Sequence, residues 1–236
     1  MIEKLNYQDK RLIFICVMIS VISLFITQNY YKQAFPYASI DMDVTQDDAK
    51  NLAENLLRNK GYDIQDFKQA SKFGHLAREK LFLEYHLSRE EAGEILNETN
   101  SYYWQNRWFI PEQKEEFKVN ISTTGQLTEY EHKIDEDAPG DSLSKENALF
   151  IAQLFLIEVP QLSAWDMQNW KLESTNLTKQ KNRIDHQFEW VEKSFDKNGS
   201  THRIAIRVQG SVVNYYNEWI IFPDTWDHDY KKMKSK

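Results

Sequence analysis

The chain has 236 residues, 41% of them hydrophobic and 28% charged, with only 7 Gly and 5 Pro. That balance allows one large domain or two small ones with a packed core, and excludes disorder and low-complexity architecture. A formal net charge of -7 excludes a general nucleic-acid partner, and a lone cysteine, Cys16, excludes an internal disulfide or a cysteine-based zinc site.

Leu12 to Thr27 reads LIFICVMISVISLFIT without a charge. As a helix it spans about 24 Å, and Gln28, Asn29, Tyr30 and Tyr31 extend it toward a ~30 Å hydrocarbon core with tyrosines at headgroup level. A transmembrane anchor is expected over 12–29. Lys4, Lys10 and Arg11 precede it, so residues 1–11 are expected in the cytoplasm and the bulk of the chain outside a bacterial inner membrane. A cleaved signal peptide is the competing reading. It is disfavoured because the apolar run is long and a small-x-small cleavage site is missing. Phe35-Pro36 should end the helix.

Thr45-Gln-Asp-Asp48 is an N-cap followed by an acidic turn. Ala49, Leu52, Ala53, Leu56 and Leu57 then mark one helix face, and Gly61 suits the position just past its end. A second helix is expected over 77–96, interrupted at the capping pattern Ser88-Arg-Glu-Glu91. From Tyr102 the period changes to two. YYWQNRWFI, EEFKVNIS and GQLTEYEHKI read as three strands, with Thr123-Thr124-Gly125 as a hairpin turn.

The order then repeats. Asp137 to Ser142 is turn-rich, and Ser144 opens a helix with Ala148, Ile151, Ala152 and Phe155 on one face. Strands are expected over 170–179, 183–194, 203–209 and 212–222, the last ones joined at Lys197-Asn-Gly199 and Gln209-Gly210-Ser211. The expected fold is α+β: an N-terminal transmembrane helix followed by two tandem helix-plus-antiparallel-sheet units of PepSY/cystatin-like order. They cover 40–135 and 140–230, with a basic tail over 231–236.

Arg183-Ile-Asp-His-Gln-Phe-Glu-Trp190 concentrates the most chemistry in one strand. Alternation puts Ile184, His186, Phe188 and Trp190 on one face and Arg183, Asp185, Gln187 and Glu189 on the other. Asp185 and His186 therefore cannot share a metal or form a dyad within the strand. The reading is a sheet strand with cross-strand ion pairs, with Arg183, Asp185, His186, Glu189 and Trp190 as the residues to make any ligand or interface contact. Asp227-His228-Asp229 reads as a solvated tail. Asp41 and Asp43 lack further ligands. No catalytic or metal-site motif occurs, so no catalytic residue, metal or cofactor is expected. The seven tryptophans are expected in the core more than in a ligand cage.

Several pieces recur in order after the apolar segment: Ala34-Phe-Pro36, Trp108-Phe-Ile-Pro111, Gln113-x-Glu115-Glu116-Phe117 and Thr124-Gly125. Glu136 with Pro139-Gly140, the Arg183–Trp190 stretch, Arg207-Val-x-Gly210, and Pro223 with Trp226 follow. Together they resemble the N-terminal extracytoplasmic region of the CPBP (CAAX protease and bacteriocin-processing) intramembrane metalloproteases. The tandem units also resemble PepSY-like modules. The family's Glu-Glu-x-x-x-Arg motif is not met: neither Glu90-Glu91 nor Glu115-Glu116 has the arginine. The resemblance therefore implies a sensing or substrate-handling domain without the catalytic membrane part, as a truncated product or a fragment. Its expected partners are the membrane and a peptide or protein, with an intramembrane protease domain as one such partner. Two rivals are an inner-membrane scaffold of a type IV secretion system, expected to have one sheet rather than two units, and an enzyme using His186 and Asp185.

Overall fold

A computed structural model describes residues 6–34, 40–163 and 165–234. It divides into two compact units, Met1–Ile40 and Asp41–Lys236. The first is helix α1, Tyr7–Ala34. It starts earlier than expected because Asn6 and Asp9 cap each other: Asn6 Oδ1 accepts the Asp9 N–H and Asp9 Oδ2 accepts the Asn6 N–H, both at 2.9 Å. Lys10 and Arg11 therefore lie inside the helix. Its stretch Tyr7–Tyr30 is apolar and long enough to cross a membrane, at about 36 Å of helix. Phe35-Pro36 lies outside the described residues.

The second unit starts with helix α2, Gln46–Asn59, held by a reciprocal Thr45–Asp48 capping box. Ala49, Ala53, Leu56 and Leu57 are its buried face. Strand β1 (Lys68–His75) follows, then helices α3 (Ala77–His86) and α4 (Arg89–Glu98), and then strands β2 (Tyr102–Phe109), β3 (Glu116–Ser122) and β4 (Leu127–Lys133). The second half has helix α5 (Lys145–Glu158), strands β5 (Trp170–Lys179), β6 (Ile184–Glu192), β7 (Thr201–Gln209) and β8 (Val212–Ile221), and helix α6 (Asp224–Lys234).

The eight strands form one antiparallel sheet in the order β1-β2-β3-β4-β8-β7-β6-β5. Each half is a helix followed by a four-stranded meander. The halves meet last strand to last strand, so two units share one sheet. α2 packs on β1–β3 and α5 on β6–β8. Between sheet and helices lies a single core that includes Trp108, Phe117, Val119, Tyr130, Phe188, Trp190, Ile206 and Tyr216.

Two elements depart from the expectation, β1 and α6. β1 (KQASKFGH) was not anticipated, because an edge strand paired only with β2 needs no apolar alternation. The helix expected over 77–96 is, as expected, interrupted at Ser88, where Ser88 and Glu91 form the capping box that starts α4. The C-terminal stretch expected to be a tail is helix α6, fastened by the buried Trp226, whose ring lies 5.2 Å from Phe82 and 5.3 Å from Tyr85. The single sheet is the one expected of the scaffold rival, and two helix-plus-meander halves share it.

Trp108 is almost fully buried in the core of the first half. Trp108→Ala should cost about 3–5 kcal/mol. Urea unfolding followed by fluorescence should give a lower midpoint with an unchanged slope; an unchanged midpoint would place Trp108 outside the cooperative core.

Candidate functional site

Three clusters of buried polar chemistry sit where chain segments meet. The first contains the sequence-predicted residues. Arg183 and Asp185 are both buried, and Arg183 Nε donates to Asp185 Oδ1 at 3.0 Å. Arg183 Nη1 also donates to the carbonyls of Glu136 and Ala138. These belong to the segment joining the two halves. Gly140 and Gly210 let the backbones close around the pair. A Cβ at Gly140 would sit 3.0 Å from Arg183 Cδ, and one at Gly210, where φ is +62°, would sit 2.9 Å from the Asp141 nitrogen. Asp185 Oδ1 also accepts the Gly210 N–H at 3.3 Å. Arg183, Asp185, Pro139-Gly140 and Gly210, separate pieces of the resemblance, thus converge on one clasp that pins the connecting segment to the sheet.

His186 and Trp190 point to the other face. Nε2 of His186 donates to the Leu143 carbonyl at 3.0 Å, and the rings of both residues pack along Phe188. Asp185 and His186 are not brought together. Glu189 lies on the helix-free face, where its oxygens accept from Gln187 Nε2 at 2.9 Å and Ser174 Oγ at 3.1 Å. Of the five named residues, then, Arg183 and Asp185 pair, and His186 and Trp190 pack along Phe188; Arg183, Asp185 and His186 line a cavity of about 540 Å³, and Glu189 fronts another of about 410 Å³.

The second cluster was not anticipated. His202 is buried in β7 between two carboxylates, with Nδ1 2.7 Å from Glu192 and Nε2 2.9 Å from Glu218. Burial opposes its charge, but the two hydrogen-bonded carboxylates prevail and raise its pKa to about 9. An imidazolium with both N–H groups committed cannot act as a base at neutral pH. The cluster lines a cavity of about 180 Å³ together with Asn100, Trp165 and Trp170. Nearby, Glu79 of α3 is buried. It accepts the Ile220 N–H at 3.0 Å and the Ser101 hydroxyl at 2.9 Å, and burial lifts its pKa to about 7. A sequence signal existed for both. Glu192, His202 and Glu218 occupy core-face positions of three adjacent strands, and Glu79 sits at helical spacing with the buried Phe82 and Leu83.

The third cluster is His132, stacked on Phe117 with ring centroids 4.2 Å apart. Its Nε2 lies 2.9 Å from Glu115 and its Nδ1 3.2 Å from the Tyr62 hydroxyl. Burial depresses its pKa. Among the described residues no group of three or more His, Cys, Asp or Glu could hold a metal ion.

The model of the YcdB, YcdC repeated domain matches residues 83–219, more than half of the chain. The chain belongs to the YcdB, YcdC repeated-domain family. The match runs from α3 to β8 and so contains the clasp, His202 with its two carboxylates, and the join between the halves. Among solved structures, the chain is similar to the Bacillus megaterium YpeB C-terminal domain, at 13% identity and a TM-score of 0.43, over 74% of this chain and 63% of that one. The chain thus spans less than two thirds of that structure. No curated protein matches.

Arg183→Met should leave Asp185 buried without its cation, at a cost of about 3–5 kcal/mol, and adding Asp185→Leu should restore part of it. Urea midpoints of the single and double variants decide this; a double variant weaker than the single would refute the pairing.

The buried acid and base also set a pH dependence. Glu79 titrates higher folded than unfolded, so its burial cost appears as pH rises from 4.5 to about 7. His202 is raised, so its contribution is complete below 6.5 and is lost as pH climbs through about 9. Glu192 is lowered by its His202 bond and acts oppositely, losing its contribution as pH falls through the carboxylate range. The melting temperature should therefore decline from about pH 5 to pH 8; above that the loss at His202 is opposed by Lys60, whose pKa is lowered by burial to about 8 and whose burial cost is relieved as pH rises. His202→Gln should flatten the upper half of that decline, and an unchanged slope in that variant would sink the assignment.

Proposed function

We propose that this protein is a non-catalytic extracytoplasmic module, held at the bacterial cell membrane by α1 with its N-terminus in the cytoplasm, that binds a peptide or protein partner. The observation that carries this reading is how the domain uses its reactive side chains. Arg183–Asp185, Glu192–His202–Glu218, Glu79 and Glu115–His132–Tyr62 are each committed to joining chain segments. A domain built this way presents surfaces, not a reacting centre. The orientation is supported by Lys4, Lys10 and Arg11 on the N-terminal side of the apolar stretch. Retention of α1 is supported by its length, since Tyr7–Tyr30 exceeds the ~7–15 apolar residues of a signal-peptide core.

The finer proposal is a PepSY-like regulatory role beside a CPBP-type intramembrane protease. It rests on the sequence resemblance and on the two helix-plus-meander units. A scaffold role in a membrane assembly is the second reading, favoured by the one continuous sheet.

Co-expression of the full chain with a CPBP-type protease in bacterial membranes tests the proposal. Stable co-purification and a changed cleavage rate are expected, and alkaline phosphatase fused after Lys236 should be active. Zinc-dependent peptide hydrolysis by the chain alone would overturn the non-catalytic reading. A closed ring of many copies without effect on the protease would select the scaffold.

A further inference from the structure

Helix α5 reads KENALFIAQLFLIE and is apolar around most of its circumference. A helix of that kind is ordinarily covered on all sides. Here its outer residues Phe150 and Ile157 are 65% and 67% exposed. Beside it, a groove of about 300 Å³ opens between the ends of α2 and α5 and the β7–β8 turn, walled by Ile151, Leu154, Phe155 and Val212.

Two polar groups in this groove point to a ligand. Lys60 closes α2, and its ammonium lies 4.6 Å from the centre of the Phe155 ring and 5.2 Å from that of Tyr130. Among the described residues the ammonium has no hydrogen bond or ion pair. Burial lowers its pKa to about 8, and Glu158, also lining the groove, opposes this only through space. The second group is Gln161, whose Oε1 is buried without a hydrogen-bond partner among the described residues. A desolvated cation and an orphan acceptor both cost free energy until matched.

We propose that this groove captures the C-terminal carboxylate of a peptide whose last residues are apolar. The carboxylate pairs with Lys60, the last side chain fills the space against Ile151, Leu154 and Phe155, and a peptide N–H meets Gln161 Oε1. The volume is at the small end of ligand sites, which run from roughly 300 to 1,000 Å³, and so suits one or two residues. A fatty acid would match Lys60 but offers no N–H to Gln161. The inference deepens the peptide-binding reading above and rests on it.

The test uses the full chain in nanodiscs and a fluorescein-labelled peptide ending Ala-Leu-Leu as free acid, read by fluorescence anisotropy. The free acid should bind at least about tenfold more tightly than the same peptide with a C-terminal amide. Lys60→Met should erase that preference without lowering the melting temperature, Lys60→Arg should keep it, and Gln161→Leu should weaken both peptides. Equal binding of acid and amide, no binding up to about 1 mM, or displacement by decanoate at equal affinity would each overturn the proposal. Loss of peptide binding with protease co-purification intact would reject this groove and leave the module's partner role standing.

Discussion

The whole domain depends on the pairing of β4 with β8. Only three register pairs join them, Glu129 with Asn217, Tyr130 with Tyr216 and Glu131 with Tyr215. Without this seam there would be two meanders of about ninety residues each, a size at which a single sheet and helix bury little core. With it, Tyr130 and Tyr216 become neighbours in one interior, both nearly inaccessible to solvent, with Phe155 of α5 about 6 Å from each. The two helices then cover a common layer. The seam is short, and side chains extend it at both ends. Asn214 Nδ2 donates to the His132 carbonyl at 3.3 Å at one end. At the other, Glu79 accepts the N–H of Ile220, beyond the last β4 pair.

This explains where the buried charges are. Apolar packing is non-directional, and it would tolerate sliding one half against the other. Hydrogen-bonded charges do not, because each misplaced partner is left desolvated and alone. Glu79 ties the α3–α4 insertion of the first half to the last strand of the second. Glu218, one arm of the His202 bridge, also accepts from Asn100 at 3.4 Å. Arg183 ties the connecting segment to β6. The charges mark the places where the repeat has to be held in one register, and their cost is met by that specificity.

Most of the fold was legible from local pattern. The caps at Thr45, Ser88 and Ser144, the alternation in β3 and the turns at Gly125 and Gly199 each depend on near neighbours in sequence, and each gave an element close to its observed place. What was not legible depends on distant partners. β1 is polar because its pairing with β2 supplies what its side chains do not. The capacity of α6 to stay folded on α3 comes from Trp226, whose contacts lie more than a hundred residues away. The strand Arg183–Trp190 was correctly divided into two faces, but alternation alone could not say that Arg183 would turn toward the connecting segment. His202 escaped notice because a histidine within an apolar strand reads as core until the carboxylates of the two flanking strands are placed beside it.

The two halves are alike in order but differ in what closes them. The first half inserts α3 and α4 between β1 and β2, and that insertion is spent on bracing β8. The second half goes from β5 to β6 by a hairpin and has no such insertion. The α5 side keeps apolar surface at Phe150 and Ile157 and the buried acceptor of Gln161, and across the groove Lys60 of the first half brings its ammonium over the Phe155 ring. The groove therefore belongs to neither half alone: Leu56, Asn59 and Lys60 come from the first and Ile151, Leu154, Phe155 and Val212 from the second, and the β4–β8 seam joins the halves that carry them.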